Sequence, residues 1–167
     1  MAKLTVGKGM DSYIADLEKL SLASEDMCGK AIYQGAKVIT DQIRKNIEAL
    51  PVIADRNQYR GGHDGGAQLK GITRSQKQGL LDGLGIARMQ DDHGFLNVKV
   101  GMDGYNSTKT KKYPNGQPNA MIARSLESGS SVRTKDPFIS KAIRSKKAEA
   151  EKAMAEEFDK ETKKVFR

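Results

Sequence analysis

Histidine is the side chain best suited to proton transfer near neutral pH, and this sequence has two. His63 lies in Gly61-Gly62-His63-Asp64-Gly65-Gly66, and His93 in Asp91-Asp92-His93-Gly94. A general base or a metal ligand needs companions at set geometry. No HxxxH, CxxC or paired-carboxylate spacing accompanies either histidine. The glycines around His63 form neither GxGxxG between a strand and a helix nor GxxxxGK[ST], so they make no phosphate cradle. Ser75 and Ser140 have no recognisable elbow or base. The single cysteine, Cys28, excludes an internal disulfide framework and a cysteine zinc site, and it falls on an apolar helix stripe, where a buried structural thiol is expected. The expectation is no enzyme, no cofactor and no bound metal.

Charge is the stronger signal. The chain has 167 residues with net charge +8. Between Lys109 and Lys147 stand Lys109, Lys111, Lys112, Arg124, Arg133, Lys135, Lys141, Arg144, Lys146 and Lys147, against only Glu127 and Asp136. The whole excess is in that stretch. It fits a contact with nucleic acid or with an acidic protein surface, and equally a solvated loop and helix face. Tyr113 is the one aromatic in it before Phe138, and no helix-turn-helix, RRM or OB pattern accompanies it. No apolar run approaches the ~20 residues of a membrane span, and Met1-Ala2-Lys3-Leu4-Thr5-Val6-Gly7 holds no stretch for a signal peptide. The expectation is no membrane association.

The elements that must carry these residues point to an α+β chain, read as a single domain over 1–167. Met10, Ile14, Leu17 and Leu20 predict a short amphipathic helix over 10–20. Ser24 is the expected N-cap of a second, long one, with Cys28, Ala31, Ile32, Gly35, Ile39, Ile43 and Ile47 on one face and Leu50-Pro51 as its stop. Residues 55–79, with six glycines, predict a mobile excursion. Strands over 84–89 and 95–101 predict a β-hairpin, Leu96, Val98 and Val100 alternating with Asn97 and Lys99. A second excursion is expected over 102–118. Asn119 is the expected cap of a short helix closed by Ser128-Gly129. Asp136 and Pro137 are the expected cap and first residue of a helix over 137–165, with Ile139, Ile143, Ala150, Met154, Phe158 and Val165 on its stripe. The expected architecture is a small antiparallel sheet packed by the long amphipathic helix, with the C-terminal helix alongside and two extended loops.

Three short segments carry a resemblance. They are Val98-Lys99-Val100-Gly101, Leu126-Glu127-Ser128-Gly129-Ser130, and Asp136-Pro137-Phe138-Ile139-Ser140-Lys141-Ala142-Ile143. A glycine after a β run, Glu-x-Gly-Thr/Ser, and a Pro-Phe pair opening a charged terminal helix resemble the small tail-component or neck proteins of long-tailed bacteriophages, the family named after gene 10 of a lambdoid phage. The chain departs from that pattern in having Met121-Ile122-Ala123-Arg124 where aromatics usually precede the Glu, and a long glycine loop before Gly79-Leu80-Leu81-Asp82. The resemblance implies a structural virion protein without catalysis. It implies a homo-oligomeric ring, hexamer or dodecamer, between the head-closure or connector protein and the tail-terminator or tail-tube protein, with DNA passing through the channel. The location implied is the head–tail junction of the virion, and the host cytoplasm before assembly. Lys109, Lys111, Lys112, Tyr113, Arg133 and Lys135 are then the expected assembly or DNA-facing contacts. A basic nucleic-acid-binding module is the alternative.

Overall fold

The two helices expected before Pro51 are one. In the computed structural model, which describes residues 8–54 and 67–166 with side chains from Ser12 onward, α1 runs unbroken over Lys8–Ala49. At 1.5 Å per residue its 42 residues extend about 63 Å. Ser24, expected as a cap, is an interior residue whose hydroxyl donates back to the Ser21 carbonyl at 2.8 Å. That local bond is the mid-helix alternative open to a serine. At the other end the Lys77 ammonium donates to the carbonyls of Glu48 and Leu50, at 2.5 and 3.0 Å. It supplies the positive charge that a helix C-terminus favours.

Val52–Ile53 (β1) pairs in parallel with Ile72–Thr73 (β2). Of the excursion expected over 55–79, residues 55–66 lie outside the described residues. The rest is ordered: β2 leads into α2, Arg74–Gly83. Thr73 caps α2 through a reciprocal box, its hydroxyl accepting from Gln76 N while Gln76 Oε1 accepts from Thr73 N, both at 3.2 Å. Thr-x-x-Gln is the sequence signature of that box, and it lies inside the stretch read as a loop.

The expected hairpin is present with a kink. Leu84–Ile86 (β3) pairs antiparallel with Val100–Met102 (β6), and Gln90–Asp92 (β4) with Phe95–Asn97 (β5). Three residues, 87–89, stand opposite two, 98–99, which is a bulge. The Tyr33 hydroxyl of α1 serves it, accepting from Met89 N at 2.8 Å and donating to the Ala87 carbonyl at 3.4 Å. Asp91-Asp92-His93-Gly94 is turn chemistry by residue type, and the turn is tighter than those four residues. Asp91 and Asp92 are in the strand, and His93 and Gly94 alone turn it, at φ 56° and 88°. Positive φ at both central positions is what a two-residue hairpin turn requires.

α3 spans Asn119–Ser128 and α4 spans Phe138–Val165. The chain is α+β. Its core is Ile43, Ile47, Leu50, Ile72, Leu80, Leu84, Ile122, Ala123, Leu126, Phe138 and Ala142. α1 and α4 form an antiparallel pair whose seam is made of small residues. A side chain added at Gly35 would collide with Met154 Cγ and Sδ at 2.6 Å, and Ala31, Ala142 and Ala150 are buried. Of the expected α4 stripe, Ala150 and Met154 lie in this seam and Ile139 packs on the core, while Ile143 and Phe158 are exposed and Glu161 is buried instead. Glu161 accepts from Lys30 at 2.8 Å and from Lys164, and these two ammoniums, Lys164 first, hold its carboxyl at about 2. Among the described residues no helix is long and apolar enough to cross a membrane.

Candidate assembly surface

The second excursion, 102–118, is fastened at its base by polar groups. Asn106 is buried; its N and its Nδ2 both donate to the Gln117 carbonyl at 2.9 Å, and its Oδ1 accepts from Thr108 N at 3.0 Å. Asn119, expected as a helix cap, instead clamps this base: its Nδ2 donates to the Asp103 carbonyl at 2.7 Å, and α3 has no side-chain cap. The loop lies directly on α2. A side chain at Gly79 would come within 2.5 Å of Asn106 Cβ, and one at Gly83 within 2.2 Å of the Asp103 carbonyl. The two glycines are one helical turn apart, on one face. Ser75 and Ser107 hydroxyls meet at 2.6 Å, and Gln76 Nε2 donates to Gln117 Oε1 at 2.8 Å. Buried amides with partners rigidify a segment without apolar mass.

On that base the chain presents its lysines at a tight turn. Thr110 N donates to the Tyr113 carbonyl at 3.1 Å, and Tyr113 N to the Thr110 carbonyl at 3.0 Å. Lys111 and Lys112 occupy the two central positions and are exposed, as is Lys109. The Lys112 ammonium sits 5.5 Å from the centroid of the half-buried Tyr113 ring, within cation–π range. Gly116 N donating to the Tyr113 carbonyl closes a second turn, the one Pro114-Asn115-Gly116 signals.

Lys135 belongs to a different surface. With Glu127, Ser128, Pro137, Ser140, Ile143 and Arg144 it lines an open groove of about 660 Å³ between the end of α3 and the start of α4. Glu127 builds this corner. Its carboxylate accepts from Ile139 N at 2.9 Å, from Ser140 N at 3.0 Å and from the Ser140 hydroxyl. It thereby caps α4, the role expected of Asp136, whose side chain pairs with Lys141 at 2.7 Å instead. Pro137 stands just before the helix rather than in its first turn, a one-residue difference of the kind helix ends show. Gly129, at φ 77°, lets the chain double back so that the Glu127 end of α3 and the start of α4 meet.

Arg133 departs from the expected set. It is 4% exposed and faces no solvent. Its Nη2 donates to Gln76 Oε1 at 3.1 Å, while Nε and Nη1 have no partner among the described residues. Burial pulls its guanidinium below the ordinary arginine value. Its backbone bridges to Leu69, so its neighbours are the β2–α2 corner. A count of basic residues treats all positions alike, and nothing in Ser131-Val132-Arg133-Thr134 marks this one as internal. The six expected contacts are thus spread over three places: a loop tip with Lys109, Lys111, Lys112 and Tyr113, a groove with Lys135, and the buried Arg133.

His63 lies outside the described residues, and His93 is a turn residue. Among the described residues no three His, Cys, Asp or Glu side chains are grouped as a metal ion requires. Cys28 is half-buried on α1 rather than fully buried. No protein-family model, no curated protein and no solved structure matches the chain.

Proposed function

We propose that this chain is a structural subunit of the head–tail connection of a long-tailed phage, a neck or tail-completion protein. It would assemble as a homo-oligomeric ring between the head-closure and tail-tube proteins and catalyse nothing. The observation that carries this reading is the corner at Glu127. The two segments that resemble the phage family, Leu126-Glu127-Ser128-Gly129-Ser130 and the Pro137-Phe138 helix start, act as one device: the carboxylate of the first caps the helix opened by the second. The resemblance therefore lies in residues that depend on one another physically. The lysine turn and the groove supply two separate surfaces, as a ring subunit meeting different neighbours needs.

The test is genetic and morphological. In the phage that encodes this chain, disrupting its gene should yield filled heads and separate tails that fail to join, with infectivity restored by the gene in trans. Packaging and capsid genes should lie upstream and tail-tube genes downstream. Joined, infectious particles lacking the protein would remove the reading. The alternative, a basic nucleic-acid-binding module, draws on the exposed Lys111-Lys112 turn. It predicts binding of random duplex DNA by the isolated monomer that weakens steeply with salt, and it falls if such binding is not measurable at 50 mM salt.

A further inference from the structure

α1 is far longer than the helix it packs on. α4 ends at Val165, and the Lys30–Glu161 pair fixes its far end against α1. Beyond that level α1 continues to Lys8, and no residue from Ser12 to Asp26 is buried. These residues form an exposed arm of about four turns, too short to be stable alone in water. The arm is amphipathic. Tyr13, Ile14, Leu17 and Leu20 share a face, with Tyr13, Ile14 and Leu17 exposed. Glu18 and Glu25 lie along one margin of that face and Asp16 along the other. Over 12–26 the arm holds four acids, Asp16, Glu18, Glu25 and Asp26, against Lys19.

Two such arms repel each other, so pairing arm to arm is disfavoured. The complementary surface is at the opposite end of the helix pair. The groove at the start of α4 is lined by apolar Pro137 and the 47% exposed Ile143, by basic Lys135 and Arg144, and by one acid, Glu127, whose carboxylate is already engaged by Ile139 and Ser140. The arm's apolar face and acidic margins match it in both respects, and an arm cannot reach the groove of its own chain, because a stiff helix separates them. We propose that residues 12–26 of one copy dock in the Lys135–Ile143–Arg144 groove of a second copy, with Ile14 and Leu17 on Ile143 and with Glu18 and Glu25 facing Lys135 and Arg144. The contact joins two different surfaces, so it propagates head to tail and closes only as a ring. It names the subunit contact of the ring proposed above and rests on that reading only for the ring's place in a virion.

The experiment uses the full chain carrying Cys28→Ser. With Leu17→Cys and Ile143→Cys together, mild oxidation should give a ladder of disulfide-linked species beyond the dimer. Each single variant should give no ladder, and the two singles mixed should stop at the dimer. Glu18→Lys with Glu25→Lys should weaken self-association at least about tenfold at low salt. Adding Lys135→Glu and Arg144→Glu in the same chain should recover it. Circular dichroism on each variant checks that the fold is retained. A chain that stays monomeric at several hundred micromolar would overturn the proposal. So would efficient dimerisation of the Leu17→Cys single variant, which is arm-to-arm pairing, or an assembly indifferent to the charge reversals. A ladder from a protein without which heads and tails still join would keep the contact and remove the neck reading.

Discussion

The loop over 102–118 and the arm over 12–26 make opposite use of their residues. The loop has little apolar content, two prolines and several lysines, yet two asparagines and two helical glycines fasten it to α2 and α3. The arm has a regular apolar stripe and strong helical periodicity, yet none of its residues is buried. Periodicity says that a face exists and leaves open what it meets. Order in the loop comes instead from satisfying a few buried donors and acceptors, which composition does not reveal.

The largest expected effect separates the packed part of α1 from its arm. Ile47 is fully buried, and Ile47→Ala should cost about 2–5 kcal/mol in urea unfolding. Ile14→Ala, on the same helix, should cost less than about 0.5 kcal/mol in the monomer. A comparable loss at Ile14 would mean that the arm is packed within its own chain. Next comes the loop's anchor. Asn106→Ala removes the two side-chain bonds, Nδ2 to the Gln117 carbonyl and Thr108 N to Oδ1, and should cost about 1–3 kcal/mol. Amide exchange should accelerate across 104–117 with little change in α1, and unchanged protection there would mean that the loop is held by something other than Asn106.

A smaller effect is set by pH at the boundary where the arm begins. The Glu161 carboxyl is held at about 2, below its ordinary 4.5. Its contribution is therefore complete above about pH 4.5, declines as pH falls, and is gone near pH 2. Glu161→Gln should unfold at a lower temperature than the parent at pH 7, and the gap should close between those limits. The smallest effect belongs to the turn. Replacing Lys109, Lys111 and Lys112 with Ser should shift stability by less than about 0.5 kcal/mol, because exposed charges contribute little to it. The same variant should assemble less well, most visibly at low salt, where the lysines are least screened, and normal assembly would make the turn a mere connector.

Much of this fold is legible in the residues. The α+β class, the α1 stripe from Ala31 to Ile47, the hairpin around Leu96 and Val100, and the start of α4 within a residue all follow from periodicity and turn chemistry. Ser24 misleads because a serine suits a cap and a helix interior nearly alike when its hydroxyl can bond back. Gly79 reads as loop because its use is a close approach by another segment, invisible along the chain. Glu127 reads as a family signature, while its service to Ile139 and Ser140 is a contact between neighbouring elements. Glu161 and Arg133 are buried ionisable residues, and periodicity counts them as surface. Of the expected site, Pro114-Asn115-Gly116 signals the turn closed at Gly116, whereas the preceding turn with Lys111 and Lys112 carries no such signal and the groove at Lys135 needs the chain reversal at Gly129.

The Glu127 corner has a mechanical side. α4 meets α3 at a joint made by one carboxylate and three donors, while along its length it is strapped to α1. The two helices form one stiff pair, and its direction is set where it leaves the rest of the fold, by the Glu127 bonds together with Phe138 and Ala142 in the core. A difference of about 10° in that direction would place the Val165 end of the 28-residue α4 about 7 Å away. The aim of the arm is thus decided by a few atoms at the opposite end of the pair.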